Sequence, residues 1–421
     1  MQLQCESAEG RAVYLNRTLE SFWMRISGKY PVLLLTGPRQ SGKTTLLKHL
    51  KSEDRTYVTL DSIAERELAR RDPALFLQRF GSPVIIDEIQ YAPDLLSEIK
   101  VIVDRNTLEK EISFWLTGSQ KFHLMKGVSE SLAGRAGIVN ILGLSQRELM
   151  QKSSDAIPFL PDDSILEERM KEQPLMGLMD LYERIWKGSL PGLVLYPDRE
   201  VEFYLDSYMT TYILRDIRDL SKVGDEIAFM RFVKAAAART GQLLNMSDLA
   251  KDADISQGTA KNWISILETT GIVYMLSPYH SNITKRIIKT PKLYFLDTGL
   301  CSHLTGWSTP ETLEAGAMTG HILETWVISE IIKSYMHAGK IPPIFFYRDR
   351  DGKEIDLLIE KDDILYPVEI KKTASPGEKD IRNFRVLKNT GRKIGNGAVI
   401  CLTENHLPLS SNITAYPVTV L

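Results

Sequence analysis

Residues 37–44 read Gly-Pro-Arg-Gln-Ser-Gly-Lys-Thr, the pattern G-x-x-x-x-G-K-[ST] of a phosphate-binding loop. Such a loop needs a strand to deliver it and a helix to follow it. Residues 31–36 (Pro-Val-Leu-Leu-Leu-Thr) form an apolar run suited to a buried parallel strand. Residues 45–50 carry helical spacing. Gly37 and Gly42 let the backbone turn tightly and aim N–H groups inward at an anion. The helix start adds its positive dipole end. The phosphate-contacting set is Gly37, Pro38, Arg39, Gln40, Ser41, Gly42, Lys43, Thr44 and Thr45. Lys43 would reach the β- and γ-phosphates, and the Thr44 hydroxyl would hold Mg²⁺.

A second half-site follows. Residues 83–88 (Pro-Val-Ile-Ile-Asp-Glu) read as an apolar strand ending in two acids. Adjacent charge at the end of a buried strand needs a purpose. Asp87 is expected to bind the metal, and Glu88 to orient the attacking water as a general base. A third strand, 112–116, ends in Thr117-Gly118-Ser119-Gln120. Ser119 is taken as a catalytic sensor of the γ-phosphate, with Thr117 and Gln120 equally placed by the sequence. Arg135, after a glycine turn, is expected to stabilise charge on the transferring phosphate, in cis or from a neighbouring subunit.

The chain has 421 residues, enough for several domains. Its net charge of −2 gives no global basic field, so nucleic-acid binding would depend on local patches. Three distant cysteines, Cys5, Cys301 and Cys401, show no pairing or zinc spacing, so reduced thiols in a cytoplasmic protein are expected. No run approaches the ~18 apolar residues of a membrane span, and no membrane role is expected. The N-terminus lacks a basic-then-apolar signal pattern.

Residues 1–25 read as a helical lead-in. Residues 26–148 alternate strand signals (31–36, 56–60, 83–88, 112–117, 138–142) with helix signals (43–51, 62–80, 94–107), an α/β doubly wound parallel sheet. The stretch 149–200 is richer in Pro, Asp and Ser and reads as an irregular connector. Residues 201–305 read as helical and then winged-helix. Tyr204, Tyr208 and Tyr212 recur at helical spacing and suit a core. Helices are expected at 246–253 and 259–270, the second opened by the Ser256 cap and closed by Gly271. Strands at 272–276 and 292–296 follow. Gln257, Thr259, Lys261 and Asn262 would face a DNA groove, or the module would serve only for packing. Lys285, Arg286 and Lys289 are candidate phosphate contacts.

Residues 306–421 hold a second group of acids. Residues 353–360 and 365–372 read as two strands around a four-residue turn, 361–364. With Glu360 opposite Leu365, Asp356 falls opposite Glu369 and Glu354 opposite Lys371, all on one face. Opposed carboxylates repel, and a divalent cation between Asp356 and Glu369 would relieve that. Lys371 beside it would help position or deprotonate a water. The alternative is an exposed hairpin face of mixed charge.

This acid followed by E-x-K on the partner strand resembles the PD-(D/E)xK nuclease fold, which often adds a helical glutamate, here Glu324. As a whole the chain resembles the prokaryotic AAA-type ATPases that carry a C-terminal domain of unknown function numbered 4143. The resemblance rests on residues 37–45, 84–90, 116–119, 132–135, 212–217 and 320–372. It implies a P-loop ATPase core with ATP and Mg²⁺, a winged-helix middle and a nuclease-like C-terminal fold, and no known substrate. Three functions follow as expectations: an ATP-driven conformational switch acting on DNA, an ATP-gated metal-dependent nuclease, and a module that docks a protein partner or a second copy under nucleotide control.

Overall fold

The computed structural model describes residues 14–105, 113–118, 131–152, 157–172, 176–213, 225–280 and 290–421. Five strands, β1 (Val32–Thr36), β2 (Thr56–Thr59), β3 (Val84–Asp87), β4 (Phe114–Gly118) and β5 (Ala136–Asn140), make one sheet in the order β2-β3-β4-β1-β5. All its pairings are parallel. Strands buried on both faces are apolar throughout, as β1 is. Leu33, Leu35, Ile85 and Trp115 pack on Trp23 and Leu46 on one face. Val32, Leu34, Ile86 and Leu116 pack on Phe76, Leu95 and Ile99 on the other. The α/β doubly wound expectation therefore holds, with β4 inserted between the two strands that carry the phosphate loop and Asp87.

Two local expectations change. The helix expected over 62–80 is two helices, Ile63–Arg71 and Pro73–Phe80. Pro73 disfavours helical geometry at Asp72, whose carboxylate instead accepts from the Leu75 N–H at 2.9 Å and caps the second helix. The irregular connector expected at 149–200 is helical, with segments Asp163–Glu172, Leu178–Lys187 and Pro191–Val194. Leu181, Tyr182 and Ile185 bury one face of the second. Core burial there outweighed a polar composition. The lead-in is the helix Leu19–Ser27, and Cys5 lies outside the described residues.

The middle of the chain is helical. Helix Met246–Ala253, a turn and helix Gln257–Thr269 lie near the expected positions, followed by two strands of a small antiparallel sheet. That sheet comprises β6 (Gln242–Leu243), β7 (Val273–Leu276) and β8 (Lys292–Phe295). Ser256 caps its helix through the Thr259 N–H at 3.0 Å. Gln257, Lys261 and Asn262 are exposed and Thr259 half-buried. Lys285, Arg286 and Lys289 lie outside the described residues. The C-terminal part is a mixed sheet of seven strands: β9 (Ile344–Arg348), β10 (Glu354–Lys361), β11 (Ile364–Ile370), β12 (Lys393–Ile394), β13 (Gly397–Cys401), β14 (Leu407–Ser410) and β15 (Ile413–Pro417). Cys301 and Cys401 are buried free thiols.

One helix, Thr319–Met336, is buried on nearly every side and shares a single apolar core with the middle region and the C-terminal sheet. A helix so enclosed must give its polar side chains partners. Those partners lie on the segment that follows β5. Glu330 accepts from the Gln146 N–H at 2.8 Å. Lys333 donates to Glu330 at 2.7 Å and to the Leu144 carbonyl at 3.2 Å. Just past the helix, His337 accepts through Nε2 from the Leu142 N–H at 3.2 Å and meets Glu148 through Nδ1, also at 3.2 Å. Glu148 in turn pairs with Arg17 at 3.1 Å, and Arg17 donates to the Ser41 carbonyl inside the phosphate loop at 2.9 Å. A continuous polar chain thus runs from the loop to the central helix of the C-terminal half.

Burial pushes the Glu148 carboxyl up, but Arg17, the nearby His337 ring and the hydrogen bond from the Ser145 N–H bring it well below the usual glutamate range. A depressed folded value means this stabilisation is full above the unfolded glutamate pKa of about 4.3 and fades as pH falls below it. Glu148→Gln removes the charge and strands Arg17. We expect a loss of about 3–5 kcal/mol in denaturant unfolding at pH 7, as for other broken buried pairs, and a smaller difference from wild type at acid pH. A loss below about 1 kcal/mol would mean the pair is inert.

Candidate nucleotide site and C-terminal carboxylate cluster

The phosphate loop joins β1 to the helix Lys43–Leu50. Gly37 sits at φ +153°, and a Cβ there would lie 2.0 Å from the Ile141 carbonyl oxygen. Gly42, at φ +93°, is left-handed and stands at the helix N-cap with no side chain of its own to take up the first-turn amides. Lys43 is buried, with Nζ donating to the Gly37 and Pro38 carbonyls at 3.1 and 2.8 Å. The middle region covers the outer side of the loop. Tyr208 donates to the Arg39 carbonyl at 3.2 Å, Tyr204 donates to Gln40, and Pro38 lies against Gly271. Two of the tyrosines expected in a core therefore also hold the loop. The buried Ser41 hydroxyl has no hydrogen-bond partner among the described residues.

Asp87 ends β3, 4% exposed, inside a cradle of three hydroxyls. Thr44 donates to its Oδ1 at 2.9 Å, Tyr57 donates to Oδ2 at 2.9 Å, and Thr117 donates to Oδ1. Burial first and Asp87 second push the Tyr57 hydroxyl far above its ordinary pKa, so it remains a donor. Glu88 follows at φ +59°; its N–H donates to Thr117 at 3.2 Å and its carboxylate accepts from Gln90. Thr44, Asp87 and the first-turn helix amides form a donor set that fits Mg²⁺ and phosphate together. Ser119 and Gln120 lie outside the described residues. Thr117, the described member of that trio, bonds to Asp87 and Glu88.

Arg135 is placed elsewhere. Ala136 pairs with Val32 and Asn140 with Thr36, so Arg135 sits at the end of the sheet away from the loop, roughly 16 Å along the strand. Its guanidinium forks onto Asp104 at 2.5 and 3.1 Å. That distance removes the option of action in cis.

The C-terminal hairpin has the expected register, Glu360 opposite Leu365 and Leu357 opposite Val368. Its turn is the two residues Asp362 and Asp363, both at positive φ, rather than four. Asp356, Glu369 and Lys371 come together. Lys371 Nζ lies 2.6 Å from Glu369 and 3.6 Å from Asp356, and Asp356 also accepts from the Ile370 N–H at 2.9 Å. Glu354 does not meet Lys371 as expected. It pairs with Lys292 of β8 at 2.6 Å and Arg348 at 3.0 Å. Glu324, from the buried helix, also joins Lys292 at 3.1 Å and accepts from Tyr294 at 2.5 Å.

Burial, and then Asp356, raise Glu324 to about 7 and Glu369 to about 8. Burial works against the Lys371 ammonium, yet Asp356 and Glu369 more than offset it. The second oxygen of Glu369 is buried without a partner among the described residues. As arranged, these donors do not fit a metal ion. Ammonium groups take them up, and no group of three or more His, Cys, Asp or Glu is poised for a metal among the described residues.

Comparison with known proteins places this geometry. Residues 29–150 match the model of an AAA domain, 178–311 a domain of unknown function (DUF8612), and 319–421 a domain of unknown function (DUF4143). The uncharacterized protein Rv2008c of Mycobacterium tuberculosis is 30% identical over 392 residues, 92% of this chain and 80% of the relative. The chain belongs to the family of AAA-type P-loop ATPases that carry DUF4143. The uncharacterized protein MJ1637 of Methanocaldococcus jannaschii is 25% identical over 423 residues, covering 92% of this chain and 84% of its own length. Among solved structures the chain is similar to the Walker-type ATPase PABY2304 of Pyrococcus abyssi, with TM-score 0.45, 16% identity, and coverage of 69% of this chain and 96% of that one. No described helix of this ATPase-family chain is long and apolar enough to cross a membrane.

Sequence reasoning missed Arg17, Tyr57, Glu148, His337 and Lys292. Only Glu148 left a local trace, in the capping box Ser145-x-x-Glu148. Thr117→Val keeps the volume and deletes the hydroxyl. A hydrogen bond to a charged group is worth about 1.5–3 kcal/mol, so we expect Mg²⁺-dependent nucleotide affinity to fall by about one to two orders of magnitude. Affinity measured in EDTA should hold. Fluorescent-nucleotide titration reads both, and equal losses in the two conditions would remove Asp87 from metal binding.

Proposed function

We infer that this chain binds ATP with Mg²⁺, hydrolyses it, and passes the nucleotide state to its C-terminal half. The carrying observation is the cradle at Asp87, which brings the Thr44 hydroxyl within 2.9 Å of a fixed carboxylate beside the loop. Loop amides and Lys43 bind the phosphates, Thr44 and Asp87 hold Mg²⁺, and Mg²⁺ when bound neutralises charge developing on the phosphates. Glu88 orients the attacking water and takes its proton as general base. Its carboxylate is held by Gln90, and its backbone by Thr117. Ser119 remains a sensor candidate, and Arg135 serves the site of a neighbouring subunit.

The output runs through Ser41, Arg17, Glu148 and His337. Any shift of the loop on nucleotide binding moves the Ser41 carbonyl held by Arg17, and so loads the buried chain leading to the helix Thr319–Met336. We take residues 26–148 as the ATPase unit, 149–200 as its link, 201–305 as a helical and winged-helix unit, and 306–421 as a PD-(D/E)xK-like unit. The switch acts on nucleic acid in the cytoplasm. Exposed Gln257, Lys261 and Asn262 on the second helix of the middle unit support that target. Docking of a protein partner is the outcome to accept if DNA has no effect on turnover.

Lys43→Ala should abolish nucleotide binding. Glu88→Gln should bind ATP like wild type and lose turnover by at least about a hundredfold, the usual scale for a general base. Steady-state phosphate release with and without DNA checks both variants. Wild-type turnover in Glu88→Gln would assign the water to another residue.

A further inference from the structure

The C-terminal cluster combines four carboxylates, Glu324, Glu354, Asp356 and Glu369, with a lysine that the C-terminal sheet does not supply. Lys292 starts β8 in the middle region and is 3% exposed. Its ammonium touches Glu354 at 2.6 Å and Glu324 at 3.1 Å. A buried ammonium survives only among paired acids, since its desolvation costs several kcal/mol. Burial here is outweighed by Glu324, Asp356 and Glu354, which keep Lys292 charged. Lys371 serves Glu369 and Asp356, and Arg348 reaches Glu354 from the rim. Three cations therefore face four carboxylates. Without Lys292 only Lys371 and Arg348 remain, and Glu324 loses its ammonium partner, a place that a divalent cation fits. The unpartnered oxygen of Glu369 is a ready further ligand.

We propose that Lys292 stands in the place of a divalent cation, so that metal binding at Glu324 and Asp356, the acids that act most on its ammonium, and the docking of β8 onto the C-terminal unit exclude one another. The ammonium is a compact point charge with three donors. It satisfies two of the acids without the octahedral oxygen shell that Mg²⁺ demands. Lys292 also couples two parts of the chain. Glu324 lies on the helix that reaches back to Glu148, while β8 belongs to the small sheet beside the helix Gln257–Thr269, whose Gln257, Lys261 and Asn262 are exposed. Withdrawal of β8 would free the acids and open the cluster to metal.

Mn²⁺ binding to the full, nucleotide-free chain tests this by electron paramagnetic resonance, with wild type, Asp356→Asn, Lys292→Met and the double variant compared. Lys292→Met should gain one Mn²⁺ per chain over wild type, bound at least about tenfold more tightly than any Mn²⁺ wild type takes up at the cluster. The double variant should lose that gain. Wild type and Asp356→Asn should not differ. Any metal at Thr44 and Asp87 is common to all four proteins and cancels. If Lys292→Met does not fold alone, Mn²⁺ should restore its cooperative melt, and Lys292→Gln offers a polar substitute to be read in the same way. Wild-type binding as tight as that of Lys292→Met and lost in Asp356→Asn would overturn the proposal. So would the absence of any gain or rescue in both Lys292 variants.

Discussion

Glu148 is fully buried and charged, and the rest of the molecule is arranged around that requirement. A lone carboxylate in such a place would cost several kcal/mol. It survives because Arg17, His337 and the N–H groups of Thr18 and Ser145 all converge on it. The donors come from three parts of the chain, Arg17 and Thr18 from one. Arg17 also grips the phosphate loop, Ser145 opens the helix after the parallel sheet, and His337 closes the central helix of the C-terminal half. The loop cannot move without disturbing a group that tolerates little disturbance. The coupling proposed here between nucleotide and the distant sheet rests on that constraint.

The two acidic sites show how surroundings set the work of a carboxylate. Asp87 is held by three hydroxyls, which orient it and leave its charge for a cation beside phosphate. Asp356 and its neighbours are held by ammonium groups, which cancel charge instead of presenting it. Burial first and Asp356 second push the Glu324 and Glu369 carboxyls up, to about 7 and about 8. The same residue types are thus held by hydroxyls at Asp87 and by ammonium groups at Asp356.

Local chemistry was legible in the sequence. The loop needs glycines where φ is positive, and Gly37 and Gly42 stand there. A strand ending in Asp87-Glu88 has few readings beside such a loop. The hairpin register followed from setting Glu360 opposite Leu365 across the turn, although that turn proved to be two residues. Long-range partners were not legible. Nothing near Lys292 in sequence announces Glu324 and Glu354, and the predicted pairing of Glu354 with Lys371 lost to the closer ammonium. Arg17 and His337 are separated from Glu148 by over a hundred residues each way. The helices within 149–200 were hidden by polar composition, although Leu181, Tyr182 and Ile185 carried the period. Asp72-Pro73 marked a break that a count of apolar positions alone passes over.

The most direct test of the coupling is amide hydrogen exchange on ATP binding, in a chain that holds ATP without turning it over. If the Glu148 chain carries the signal, ATP changes protection in the loop 37–45, in residues 142–148 and across 330–337. Replacing Glu148 by Gln should leave only the loop response. Protection confined to the loop in the parent chain, with the segment 330–337 unmoved, would contradict the account.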